Sequence, residues 1–187
     1  SGKRPMGETM DTAKKVLEEI DRRKDEIIRF LRDLISYPSV TGDEKGIQEF
    51  IAERLKAMGL EVDQWEPDHE ELKRHPAYVA VKGDYAGRHN VVGLYKGSGG
   101  GRSLLFNGHV DVIPPGPPET WSHGAFSGAV QGNRLYGRGA SDMKSGLAAM
   151  TMAMETILQC HVRLRGDVFL EYTMDEELSG NGTLACV

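Results

Sequence analysis

Apolar runs of strand length alternate along this chain with segments of helical period, and three clusters of acidic or histidine residues fall at the ends of such runs. The alternation restricts the fold to a layered α/β domain, here expected as three layers with a mixed β-sheet flanked by helices. The clusters are Gly108-His109-Val110-Asp111, Gly137-Arg138-Gly139-Ala140-Ser141-Asp142-Met143-Lys144 and Asp175-Glu176-Glu177. Each sits where a strand-like segment gives way to a turn, which is where an α/β sheet presents side chains to a cleft. Together they read as part of a metal site. A two-metal centre with a shared carboxylate and a shared water needs about five protein ligands, and three good ones stand here.

Residues 11–37 carry Val16, Leu17, Ile20, Ile27, Ile28, Leu31, Leu34 and Ile35 at helical spacing, which predicts one long helix ending at Pro38. Lys24 interrupts its apolar stripe, so the early turns are expected to pack only in part. Thr41 with Glu44 three residues later has the form of a capping box, and the helix it opens should bury Ile47, Phe50, Ile51, Leu55 and Met58 before stopping at Gly59. Residues 60–65, 90–96 and 103–107 read as strands, with residues 97–101 as a hairpin loop between the last two. Gly132-Asn133 marks a tight turn in a short hairpin. Helical period returns over residues 144–158 through Leu147, Met150, Thr151, Met154 and Ile157, and residues 166–174 form an alternating strand.

A chain of 187 residues with 39% hydrophobic and 27% charged residues can bury one core, so one domain is expected. Its formal net charge of −5 disfavours a nucleic-acid or anionic-membrane partner, either of which would want a basic face. No apolar stretch reaches about 18 residues, and no charged-then-apolar leader stands at the start; residues 1–5 read as a cloning scar. Cys160 and Cys186, without a Cys-x-x-Cys pair, suggest neither a metal knuckle nor a disulfide framework, so a cytoplasmic setting is expected. The glycine run at 97–101 lacks the Gly-Lys-Ser/Thr ending of a phosphate loop, and Gly137-Arg138-Gly139 has Asp142 where a dinucleotide fingerprint wants glycine. No Gly-x-Ser-x-Gly elbow is present.

Each cluster has an ordinary structural reading. A histidine at a strand end is commonly a hydrogen-bonded structural group, Asp142 alone would serve as the N-cap of the helix that begins near Lys144, and Asp175-Glu176-Glu177 alone would be a solvated turn with Ser179 capping the next helix. The methionines at 143, 150, 152 and 154 read as core filling. Asp111 shifts the balance for His109. Two residues apart on a strand they share a face, and a carboxylate beside a ligating imidazole sets its tautomer and raises its basicity. The strand leading into Asp175 aims the acidic cluster at the same sheet edge.

The run Leu105-Phe106-Asn107-Gly108-His109-Val110-Asp111-Val112, the run Leu135 to Lys144 and Thr173-Met174-Asp175-Glu176-Glu177, with Pro38-Ser39-Val40-Thr41-Gly42 and the stretch from Trp121 to Phe126, closely resemble the di-zinc amidohydrolase and peptidase family of acetylornithine deacetylase, succinyl-diaminopimelate desuccinylase, aminoacylase and the glutamate carboxypeptidases. The resemblance implies a zinc-exopeptidase-like fold and two divalent metal ions, zinc first, with cobalt or manganese as alternatives. It implies His109 as terminal ligand of one metal, Asp142 as the bridge and Glu177 as terminal ligand of the other. It further implies Glu176 as general base, Asp111 as the partner behind His109, and a cis peptide between Asp142 and Met143.

On that resemblance the expected activity is hydrolysis of an amide bond in a small N-acylated amino acid or related amine. The alternatives are a dipeptidase or carboxypeptidase of the same family, or a non-catalytic interaction protein that keeps the hydrolase core. Relatives of the family continue with another acidic ligand, a lid domain that carries dimer contacts and a last ligand histidine. Residues 1–187 are therefore expected to be the N-terminal portion of the catalytic domain, holding metal weakly or not at all and inactive alone, with homodimerisation belonging to the longer protein.

Overall fold

The computed structural model describes residues 6–187, so the cloning scar read at residues 1–5 lies outside it. Helices α1 (Met6–Arg22) and α2 (Lys24–Ser36) stand where a single helix was expected. The break falls at Arg23, one residue before the interruption in the apolar stripe. Its side chain is only 6% exposed. The guanidinium donates to Thr156 Oγ1 at 2.8 Å and to Glu155 Oε2 at 2.5 Å, and buried charge is tolerated there because it is paired and hydrogen-bonded. On the α1 side of the break packing is partial, and Leu17 stays exposed.

Helix α3 (Lys45–Ala57) buries Ile47, Ile51 and Leu55, packs Phe50 at its side and is followed by Gly59 at φ +80°. The capping box does not form: no side chain caps α3, because Thr41 and Glu44 are both drawn into other contacts described below. After α3 come β1 (Glu61–Trp65), the short α4 (His69–Leu72), β2 (Asn90–Tyr95), β3 (Leu104–His109), a hairpin of β4 (Ala129–Gln131) and β5 (Arg134–Tyr136), α5 (Lys144–Gln159), β6 (Val168–Thr173) and α6 (Asn181–Leu184).

The main sheet has the order β1-β2-β6-β3, antiparallel except for the parallel pair β3–β6. It is thus a mixed sheet flanked by helices, as expected. The glycine run at 97–101 is not a hairpin loop, since β6 lies between the two strands it joins. β2 and β3 run in opposite directions, so the run reverses the chain but steps across β6 instead of pairing the two strands it joins. The run instead passes over the entrance to β6 so closely that a Cβ on Gly97 would stand 2.4 Å from Gly166 O.

One core unites Leu34 of α2, Ile51 and Leu55 of α3, Leu147 and Met150 of α5, and Val91, Leu170 and Tyr172 of the sheet. Met152 and Met154 are buried in it, which agrees with their reading as filling. Gly108 lets α5 approach β3, for a Cβ there would meet Leu147 at 2.7 Å and Met143 at 2.8 Å. Lys144, fully buried at the start of α5, donates from Nζ to Leu34 O at 2.9 Å and Tyr37 O at 2.7 Å, gripping the carbonyl end of α2. Burial lowers its pKa to about 7. Among the described residues no helix is long and apolar enough to cross a membrane.

Candidate metal centre

His109 is the last residue of β3, paired in register with Thr173, the last residue of β6. The parallel register delivers the first and third clusters to the same end of adjacent strands. Asp142 arrives from the turn before α5, at the same end.

The ligand atoms of His109, Asp142 and Glu177 lie within 4.8 Å of one another. His109 is 6% exposed, with Nε2 at 3.1 Å from Asp142 Oδ1 and 3.6 Å from Glu176 Oε2. Its Nδ1 stands 3.0 Å from the Asp111 carbonyl oxygen and 3.4 Å from the Asp111 carboxylate. A carbonyl can only accept, so Nδ1 carries the hydrogen and Nε2 is the nitrogen aimed at the acids. The backbone of Asp111 thus does more of the orienting than the carboxylate to which the sequence pointed.

The Asp111 carboxylate has other duties. Fully buried, it accepts from Thr41 Oγ1 at 2.7 Å, from the Glu176 amide at 3.1 Å and from the Glu177 amide at 3.2 Å. Burial alone would raise its pKa, but the His109 contact and these three donors outweigh that and hold it below the usual carboxylate range. One carboxylate therefore ties the first cluster to the third. Thr41 reaches it because residues 39–41 run beside the exit of β3. Ser39 Oγ donates to Val110 O at 2.7 Å, and Val40 forms a parallel bridge with Val112.

Asp142 is not the cap of α5. The N-cap position is Met143, with no capping side chain, and the Asp142 carboxylate turns to His109 while staying 76% exposed. The peptide between Asp142 and Met143 is cis. Ser179 is not the cap of α6 either: the N-cap position is Gly180, with no capping side chain, and Ser179, one residue earlier, accepts from the Asn181 amide at 3.1 Å.

Burial works against a charged His109, yet its contacts with Asp111 and Asp142 and the charge of Glu176 raise its pKa to about 9. Burial also pushes the Glu177 carboxyl up, and the nearby Asp142, Asp111 and Glu176 add to this against the pull of His109. Carboxylates crowded around one imidazole make a pocket that favours a cation. One nitrogen and two carboxylate oxygens at this spacing match the donors of a zinc-type divalent ion.

Thr41 and Arg88 were not singled out from the sequence as parts of the site. Thr41 was visible as half of a capping box and within the 38–42 stretch of the resemblance, with no role assigned, and Arg88 lies in an irregular stretch with no periodic signal.

Residues 105–187 match the family model for peptidase family M20/M25/M40. The chain is 34% identical over 174 residues to N-formyl-4-amino-5-aminomethyl-2-methylpyrimidine deformylase of Bacillus subtilis (strain 168), covering 90% of this chain and 37% of that protein. It is 38% identical over 150 residues to succinyl-diaminopimelate desuccinylase of Leptothrix cholodnii, covering 80% of this chain and 36% of that protein. In fold it is similar to human carnosine dipeptidase 1, with a TM-score of 0.74 at 19% identity over 92% of this chain and 36% of that one. A metallo-carboxypeptidase of Sulfolobus solfataricus gives a TM-score of 0.64 at 23% identity over 83% of this chain and 32% of that one. The chain spans at most 37% of the length of these two curated relatives. Motif order and relatives agree with a domain of peptidase family M20/M25/M40 in this chain, matched over residues 105–187.

Proposed function

We propose that this chain supplies the N-terminal part of the catalytic domain of a metal-dependent amidohydrolase that releases an acyl group from a small N-acylated amino acid or related amine. The observation that carries this reading is the convergence of His109, Asp142 and Glu177 within 4.8 Å, with the Glu176 carboxylate beside them. The names of the two curated relatives, a deformylase and a desuccinylase, both describe removal of an acyl group, which favours deacylation over peptide cleavage. The unpaired thiols of Cys160 and Cys186 suit a reducing, cytoplasmic setting.

In this reading His109, Asp142 and Glu177 would be the residues that hold the zinc ions. Divalent ions held there supply a Lewis acid for the amide carbonyl and lower the pKa of water toward neutrality. The remaining work is done by side chains. Glu176, half exposed and 3.6 Å from the His109 ring, accepts a proton from the attacking water and returns it to the departing amine nitrogen. Neighbouring Glu177 is then free to coordinate. Asp111 holds both glutamates by their amides and seats the imidazole. Further ligands and dimer contacts through a lid domain belong to the longer protein.

The test separates base from ligand. In an active protein of the relatives' length, Glu176→Gln is expected to keep its metal content and lose about 10²–10⁴-fold in kcat. Glu177→Gln should lose metal as well. Equal metal loss in both variants, or retained turnover in Glu176→Gln, would mean that the roles are wrongly assigned.

A further inference from the structure

Outside all three clusters, Arg88 makes contacts that close a loop around the site. Its Nε and Nη2 donate to the two carboxylate oxygens of Glu44 at 2.9 and 2.6 Å, and Nη2 also donates to Asp175 Oδ1 at 3.1 Å. Both carboxylates are buried, Glu44 fully and Asp175 to within 1%. Glu44 also accepts from the Gly42 amide at 3.0 Å, which shapes the turn that follows Thr41. Asp175 takes a left-handed backbone at φ +64°, unusual for a residue with a side chain, and its other oxygen accepts from Tyr85 and from Ser179.

These contacts form a ring. Arg88 grips Glu44, Glu44 fixes the turn behind Thr41, Thr41 donates to Asp111, Asp111 accepts from the amides of Glu176 and Glu177, and the residue before those amides is Asp175, which returns to Arg88. The glutamate pair is thus held from the front by Asp111 and from behind by Arg88. Only a planar, bidentate guanidinium can bond both oxygens of one carboxylate and reach a second.

We propose that Arg88 is a positioning residue of the metal centre: by tying Glu44 to Asp175 it sets the backbone from which Glu176 and Glu177 present their carboxylates. The metal side of this inference rests on the reading given above, while the backbone side does not. Two variants address it. Arg88→Lys keeps the charge but loses the fork, and Arg88→Met/Glu44→Gln removes a guanidinium and a carboxylate charge together.

Amide hydrogen exchange reads the clamp without metal. The Glu176 and Glu177 amides should lose at least about tenfold in protection while amides of β2 and α5 keep theirs, since local opening is independent of the global core. Cobalt(II) titration, followed by its d–d absorption, should show affinity lowered by about 10–100-fold per folded molecule, the usual cost of losing a supporting contact behind a ligand. Loss of protection across the whole chain in both variants, or unchanged exchange at 176 and 177, or unchanged cobalt affinity where the parent chain binds it, makes Arg88 an ordinary structural ion pair and overturns the proposal. If the parent chain binds no cobalt, the exchange result alone decides the role of Arg88.

Discussion

The sheet is held in two different ways along its length. Beneath the helices the interior is apolar: Leu34, Ile51, Leu55, Leu147 and Leu170 are all at 1% exposure or less and touch one another without a directional bond. At the end that carries the clusters the interior is just as dry but polar. Asp111, Asn90, Thr173, Asn181, Glu44 and Asp175 are equally buried, and each makes hydrogen bonds. The first region depends on volume and forgives a change of shape. The second depends on matched donors and acceptors and forgives almost nothing, because a buried group that loses its partner bears the full desolvation cost.

The sharpest test of that division is a truncation in the apolar region. Leu170→Ala should cost about 2–5 kcal/mol of stability, read as a lower denaturation midpoint, with metal affinity per folded molecule unchanged. If affinity fell in step with stability, the two regions would not be independent.

A smaller but more selective effect is expected at the polar end. Asp111→Asn is nearly isosteric yet places an NH2 group where two amides and a hydroxyl donate. It should weaken zinc or cobalt binding by about 10–100-fold with little change in apolar packing, and His109→Ala should cost more. Equal affinity in the parent chain and in Asp111→Asn would show that the carboxylate contributes volume only.

The polar region should also respond to pH while the apolar one does not. Because His109 is raised to about 9 from an ordinary 6.5, its protonated form stabilises the metal-free fold. That contribution is complete below the ordinary value and is lost as pH rises through about 9. A metal must displace the same proton, so cobalt affinity should climb about tenfold per pH unit between pH 7 and 9 and then level off, with proton release measurable by calorimetry in buffers of different ionisation enthalpy. A flat profile would place the displaced proton elsewhere. The smallest effect should come from the exposed part of β3, where Leu105→Thr is expected to change stability by no more than about 0.5 kcal/mol.

The same division explains what could be read from the chain alone. Apolar periodicity located α3, α5, β1, β2 and β6, because burial against a sheet leaves a repeating trace. His109, Asp142 and Glu177 were legible because metal-ligand residue types recur at strand ends in a recognisable order. The hairpin expected at 97–101 failed because strand order is set by long-range pairing, and a glycine-rich turn looks alike whether the strands it joins are paired or have another strand between them. The capping box at Thr41 and Glu44 failed for a more instructive reason. Both residue types suit a helix start, but Asp111 and Arg88, 70 and 44 residues away, compete for those side chains and win. Arg88 left no trace, since a single arginine in an irregular stretch looks like any solvated charge.

The matched ends of β3 and β6 set a limit on chain length. The strands pair residue for residue from Leu104 with Val168 to His109 with Thr173. One residue inserted between 104 and 109 would carry the imidazole about 3.3 Å along the sheet and turn it to the opposite face. Spacing within these six residues is therefore as much a requirement of the site as the histidine itself. The proline-rich stretch around 114–118 is under no such constraint, and insertions there should leave the distance from His109 to Glu177 unaltered.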